Sequence, residues 1–294
     1  MDVQPSRLVI AHRGASAYLP EHTLSAYAMA VGQGADGIET DVVLSADGVP
    51  FCLHDLWLET TTDAEEHFAN HARPDGHIYA IDLTAEQIGR LHAFGRVGRN
   101  ARSDLPAMPV PTLEDLLKLR QRLMQTLGRQ ILLLVELKSP ACHAEQGKPL
   151  EEPVLAVLER FGCTMPDCGV ILQSFEAQSL QRLRATLGTQ VPLFQLTAQA
   201  LSARQIEEIR TYADGISASR WLIEDGEGKA VNRGRLVASC HRRGLKLFVW
   251  TMGRDEPAVR RMFWRYQVDG VITDNPDVAV RARATPPRSP MGRA

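Results

Sequence analysis

The 294-residue chain has no long hydrophobic run. Its strongest, Ile131-Leu-Leu-Leu-Val135, is strand-sized and far short of the ~18 apolar residues a spanning helix needs, so no integral membrane segment is expected. The N-terminus lacks a basic stretch followed by an apolar run and a small-residue cleavage site. The expectation is a cytoplasmic protein, or a periplasmic one if the chain begins after a removed signal. Charge of one sign is also missing. Lys and Arg total 33 against 35 Asp and Glu, a net charge of −2, which gives no electrostatic basis for binding nucleic acid or an anionic membrane. Cysteines are few: the five at 52, 142, 163, 168 and 240 form an odd, unpatterned set that reads as free thiols, although the spacing of Cys163 and Cys168 would allow a pair. No glycine-rich dinucleotide fingerprint follows the first strand, no G-x-S-x-G surrounds Ser174, and no H-E-x-x-H contains His67 and His71. Those absences argue against a Rossmann enzyme, a serine hydrolase and a zincin.

What is present is alternation. Short β-rich runs are expected at Leu8–Ala11, Gly37–Val43, Ile131–Lys138, Val170–Ser174, Pro192–Leu196, Gly215–Ser217, Lys246–Thr251 and Gly270–Thr273. Amphipathic stretches lie between them, at about Thr23–Gln33, Thr112–Leu127, Leu150–Phe161, Ala177–Leu187, Ala203–Tyr212, Arg233–Arg243 and Glu256–Tyr266. Eight strands separated by helices predict an α/β fold of the closed (β/α)8 type, a TIM barrel, over residues 1–280. Asp47-Gly48 is a hairpin signal that extends the second strand and folds His54 back to the barrel mouth. Residues from about 56 to 110 fit no βα unit and are expected to be an insertion at the functional end. The Pro- and Arg-rich residues 281–294 are expected to be a disordered tail.

A barrel of this kind places its site at the carboxyl ends of the strands, and polar residues gather there. Glu39 and Asp41 lie two apart on the second strand and therefore share a face; Glu136 and Lys138 repeat the arrangement on the third. Buried carboxylates this close repel unless a cation intervenes, and Ca2+ or Mg2+ prefers such oxygens. Taken alone, such carboxylates also form salt bridges or face solvent. His12 and His54 each end an apolar strand beside a charged neighbour, Arg13 or Asp55. Imidazole, with a usual pKa near ~6.5, can serve as acid and base at neutral pH. Three carboxylates, a divalent ion and the two basic groups Arg13 and Lys138 leave a net +1, suited to a phosphodiester anion. The alternative is that Arg13 and Lys138 only neutralise the carboxylates. Trp250, Phe175 and Tyr18 are candidates either for the core or for a substrate pocket, and His67 and His71 read as a solvated face of the insertion.

Several segments together resemble the glycerophosphodiester phosphodiesterases. They are His12-Arg-Gly-Ala15 with Leu19-Pro-Glu-His-Thr23, Gly37-Ile-Glu-Thr-Asp41, Leu53-His-Asp55, Val135-Glu-Leu-Lys138, Ser174-Phe175, Val249-Trp-Thr251 and Val268-Asp-Gly-Val-Ile-Thr-Asp-Asn275. The resemblance covers nearly the whole barrel. It implies a Ca2+ or Mg2+ ion on Glu39, Asp41 and Glu136, His12 and His54 as the acid/base pair, and Arg13 and Lys138 at the phosphate, with Trp250 and Phe175 beside the substrate. It also implies glycerophosphocholine, glycerophosphoethanolamine and related deacylated phospholipids as substrates, and sn-glycerol 3-phosphate and an alcohol as products. Many members have Asn where His22 stands; His22 and residues Arg73 to Asp82 look closer to the calcium-dependent bacterial periplasmic branch. The rival readings are a related barrel phosphodiesterase acting on intact lipid or lysophospholipid, and a non-catalytic metabolite-binding barrel. A homodimer is left open.

Overall fold

The structure, a computed structural model, describes residues 7–95 and 108–286. Eight parallel strands form the barrel: β1 Leu8–His12, β2 Gly37–Leu44, β3 Leu132–Leu137, β4 Val170–Ser174, β5 Leu193–Thr197, β6 Gly215–Ser219, β7 Lys246–Met252 and β8 Gly270–Thr273. Each pairs with the next, and the cylinder closes where β1 pairs with both β8 and β2. The eight expected strands are all present.

Period-two alternation sorts the side chains into two apolar regions. Inside the cylinder Ile10, Leu134, Ile171, Phe194, Phe248 and Ile272 form a buried plug. Two glycines make room for it. A Cβ at Gly215 would lie 2.4 Å from the Phe194 ring, and one at Gly37 would meet Leu132 and Ile10 below 3 Å. The other face of the sheet packs beneath the helices through residues such as Val9, Ile38, Leu133, Leu172 and Val249. The plug fills the lower cylinder, so the polar side chains of the next layer sit on an apolar floor.

Helices follow the strands with the caps their sequences suggest. Thr23 caps Leu24–Gly32, Thr112 and Asp115 form a capping box on Leu113–Leu127, and Ser202 with Gln205 does the same for Ala203–Ile209. The expected helix at 177–187 divides into an α-helical Ala177–Gln181 and a π turn Arg182–Thr186. Among the described residues, two α-helices outside the insertion were not foreseen. Pro140–Glu145 begins directly after Lys138 and Ser139, and Pro276–Ala284 follows β8. The second corrects the expected tail: Ala279 and Ala282 are fully buried, so apolar packing carries the helix past residue 280 to Ala284. The part of the expected tail from 287 to 294 lies outside the described residues. All five cysteines are free, Cys163 and Cys168 included.

The Asp47-Gly48 turn returns the chain through Pro50–Cys52, antiparallel to the upper half of β2 with Val42 opposite Cys52. The insertion beyond has a small core of its own, in which Leu58, Ala64, Ile78, Leu83, Ile88 and Leu91 pack with Phe51 and Leu53. His67 lies exposed on it beside Asp63. Residues 96–107 of the expected insertion lie outside the described residues. Among the described residues no helix is long and apolar enough to cross a membrane.

Candidate functional site

Strand register brings the polar residues together. His12 on β1 pairs with Glu39 on β2, Asp41 pairs with Glu136 on β3, and Glu136 pairs with Gln173 on β4. Glu39, Asp41 and Glu136 therefore point inward from adjacent strands, one layer above the plug. Each offers an oxygen within 4.8 Å of the other two, and they are only 2%, 1% and 6% exposed. All three donors are hard carboxylate oxygens, a set that suits Ca2+ or Mg2+.

The sequence after β1 makes the cluster accessible by a tight loop. Arg13 adopts φ +57° and Gly14 φ +85°; at Gly14 a Cβ would come within 2.7 Å of the Ala26 backbone. This turn aims the Arg13 amide at Glu39, 3.1 Å from both its carbonyl and its Oε2. The Arg13 guanidinium then meets Glu21 through Nη1 at 3.0 Å and Asp41 through Nε at 3.2 Å. His22, also at positive φ, places its Nε2 3.0 Å from Asp41, while its Nδ1 faces the Tyr27 hydroxyl at 2.9 Å. Just past the end of β3, Lys138 donates to Glu136 at 2.6 Å and lies 3.7 Å from Asp41.

These contacts divide the three carboxyls. Burial alone would raise Asp41, but Lys138, Arg13 and the hydrogen bond from His22 outweigh it and hold Asp41 well below the usual carboxylate range. Glu39 is pushed well up by burial and then by the charges of Asp41 and Glu136. Burial and Asp41 likewise raise Glu136 to about 8, against the pull of Lys138. Without a cation, then, the surroundings favour the ionised form of Asp41 and the protonated forms of Glu39 and Glu136. Burial would lower Lys138, yet Asp41 and Glu136 raise it, so the ammonium persists. Buried His22 is lowered and neutral; with Asp41 ionised, its Nε2–H donates to the carboxylate.

Two further histidines stand above the cluster. Asp274, at the end of β8, lies 2.6 Å from His12 Nδ1 and accepts a second hydrogen bond from Ser16 at 3.0 Å. Burial works against ionisation of Asp274, but these bonds, together with the nearby Arg13 charge, lower it. An ionised carboxylate only accepts, so the His12 proton sits on Nδ1 and the Nε2 lone pair is left for other work. His54 is arranged in the same way, its Nδ1 2.6 Å from Asp55. The return strand sets its height, since the Leu53 amide bonds the Asp41 carbonyl at 3.1 Å. Side-chain exposures of 18% for His12 and 31% for His54 leave both open to a ligand.

A cavity of about 140 Å³ lies between these groups, bounded by His12, Arg13, His54, Lys138, Phe175 and Trp250, with Glu39 and Glu136 at its base. Phe175 is 46% exposed and meets Trp250 edge to face at 5.6 Å, making an aromatic wall opposite the histidines. Tyr18 packs, partly buried, against the core rather than lining the cavity, and its hydroxyl bonds Asp277 at 2.6 Å, tying the first loop to the last helix. In the sequence, Asp274 and Glu21 stood only inside the segments that resemble the family and Gln173 only inside an expected strand, with no role given to any of them. The signal for Glu21 was faint, because a surface-type residue in a loop acquires meaning only when Arg13 turns back over it.

The sequence profile of the Glycerophosphoryl diester phosphodiesterase family matches residues 12–278. A glycerophosphodiester phosphodiesterase from Haemophilus influenzae is 32% identical over 327 residues, which cover 95% of this chain and 90% of that protein. Among solved structures, a putative glycerophosphoryl diester phosphodiesterase from Silicibacter pomeroyi superposes with a TM-score of 0.76 at 26% identity, covering 95% and 93% of the two chains. A phosphodiesterase from Oleispira antarctica, solved with the product sn-glycerol-3-phosphate, has a TM-score of 0.73 at 22% identity and covers 95% of this chain and 97% of its own. With a match that runs from the histidine of the first strand into the last helix, the chain belongs to the glycerophosphoryl diester phosphodiesterase family and is a phosphoric diester hydrolase.

Proposed function

We propose that the protein hydrolyses deacylated phospholipids such as glycerophosphocholine and glycerophosphoethanolamine to sn-glycerol 3-phosphate and an alcohol, using a divalent cation and two histidines. The observation that carries this reading is the convergence of three buried carboxylates beneath two imidazoles whose Nδ1 atoms are both held by carboxylates. Glu39, Asp41 and Glu136 would hold Ca2+ or Mg2+. When bound, such an ion acts as a Lewis acid and offsets the negative charge that builds on the phosphoryl oxygens. The Oleispira protein of the same fold binds as product the compound proposed here as product.

The chain's own groups supply the rest. Arg13 and Lys138 border the cavity and stay cationic, so they attract the diester and stabilise the extra charge of a five-coordinate phosphorus. Each is shared with a carboxylate, so neutralising the acidic cluster and binding phosphate are two uses of the same cation. One imidazole, entering neutral, takes a proton from the attacking oxygen at Nε2, and the other, entering as imidazolium, gives its Nε2 proton to the leaving alcohol oxygen. Asp274 and Asp55 fix which nitrogen is available. The attacking oxygen is either the substrate's 2-hydroxyl, which gives a cyclic phosphate, or water. Phosphorus NMR at short times separates the two, because only the first shows a transient cyclic signal. The Trp250–Phe175 wall offers ring faces to the alcohol portion.

Cation binding must be pH-dependent, since the ion displaces protons from Glu136 and Glu39. The raised Glu136 carboxyl favours the cation-free fold below the ordinary carboxylate range, and that contribution is lost as pH rises through about 8. The stabilisation by Ca2+ should therefore increase from pH 6 to pH 8.5, by about 1.4 kcal/mol per pH unit for each proton displaced. Melting curves with and without Ca2+ at the two pH values measure it; an increment independent of pH contradicts the assignment.

The direct test of function is a coupled glycerol 3-phosphate assay over a panel of headgroups. Turnover of glycerophosphocholine or glycerophosphoethanolamine, lost in EDTA and restored by Ca2+ or Mg2+, is expected. Turnover of lysophospholipids alone points to a lipid-acting relative, and no turnover with any cation points to a metabolite-binding barrel.

A further inference from the structure

A chain of buried hydrogen bonds crosses the inside of the barrel from the aromatic wall to the acidic cluster. The Trp250 indole N–H donates to the Ser217 carbonyl at 2.9 Å. The Ser217 hydroxyl donates to Gln173 Oε1 at 3.0 Å, and Gln173 Nε2 donates to Glu39 Oε1 at 3.4 Å. Ser217 is fully buried and Gln173 is 1% exposed. Neither has a place in the mechanism above.

The three carboxylates are held differently. Asp41 is gripped by Arg13, Lys138 and His22, and Glu136 by Lys138. Glu39 is held by neutral donors: the Arg13 backbone amide at Oε2 and the Gln173 amide at Oε1. With one donor on each oxygen, Glu39 keeps further lone pairs free, and it offers an oxygen within 4.8 Å of oxygens of Asp41 and Glu136. Resting on the cation reading above, we infer that Gln173, oriented by Ser217, is a positioning residue that presents Glu39 as a ligand.

Ser217 matters because an amide has two orientations of nearly equal shape. If Gln173 turned over, its carbonyl oxygen would face the Glu39 carboxylate and repel it. The Glu39 carboxylate thus selects the orientation that brings the NH2 group to it, and the Ser217 hydroxyl, able to donate or accept, donates to the Oε1 on the other side and holds the amide there. Partners of this kind around ligands commonly carry a 10- to 100-fold share of metal affinity.

The test is calorimetric titration of Ca2+ and of Mg2+ into the full-length protein, with melting curves of the cation-free form. Gln173→Met keeps the length of the side chain and removes both the donor and the acceptor. It should weaken cation binding about tenfold while the cation-free melting temperature changes little. Ser217→Ala should weaken binding by less, and should add nothing further in a Gln173→Met background, because its effect passes through the amide. Wild-type affinity in Gln173→Met, or additive losses in the double variant, overturns the inference. A lower cation-free melting temperature with unchanged affinity also overturns it, since that is what a purely structural glutamine gives. If the wild-type protein itself binds neither ion, the cation reading fails, and that outcome is distinct from all of these.

Discussion

Replacing Glu39 with alanine is expected to lower kcat/KM by roughly 10³-fold or more while leaving the protein folded. The loss follows from removing one of three ligands for an ion that supplies several kcal/mol of transition-state stabilisation, at 1.36 kcal/mol per factor of ten. The survival of the fold follows from the electrostatics. Glu39 is buried and pushed well above the usual range by burial, Asp41 and Glu136, so in the cation-free protein its ionised form is disfavoured. Removing it takes away a carboxyl whose ionisation its neighbours already oppose, rather than breaking an ion pair. Cation-free melting temperatures should stay within a few degrees of wild type, and the increment given by Ca2+ should disappear. A well-folded Glu39→Ala protein with near-normal turnover would refute the assignment.

His12→Ala and His54→Ala should each cost about 10²- to 10⁴-fold in kcat, the range typical of losing a general acid or base. In contrast to Glu39→Ala, both should retain the Ca2+-dependent rise in melting temperature, since neither imidazole belongs to the acidic cluster. Because the two act in one proton-transfer sequence, the double variant should be much less impaired than the product of the single losses. Steady-state kinetics beside melting curves with and without Ca2+ check both statements. Loss of Ca2+ stabilisation in either histidine variant would instead place that histidine among the ligands.

Some of this architecture could be read from the residues alone, because it depends on short-range rules. The spacing of Glu39 and Asp41 on an apolar strand leaves them no choice but a common face, and eight β-rich runs separated by amphipathic stretches fit a closed barrel. The Asp47-Gly48 turn carried enough information to bring His54 back to the mouth. What could not be read depends on register and on backbone turns. That Asp41 faces Glu136 across β2 and β3, and that Asp274 reaches His12 from β8, are consequences of how the cylinder closes.

The positive φ at Arg13 and His22 has no sequence signal of the glycine kind, yet it is what folds Glu21 and His22 over the cluster. The helix Pro276–Ala284 was missed for a different reason. Its last residues fall in the Pro- and Arg-rich stretch from 281 that reads as a disordered tail, and the helix shows only when β1 and the neighbouring helix supply a surface to bury Ala279 and Ala282.

Anomalous diffraction from crystals grown with Mn2+, an oxygen-seeking stand-in for Ca2+ or Mg2+, bears most directly on all of this. One peak is predicted within bonding distance of oxygens from Glu39, Asp41 and Glu136 together, below the Nε2 atoms of His12 and His54. Density showing the three carboxylates turned apart, with manganese bound elsewhere or not at all, would contradict the account.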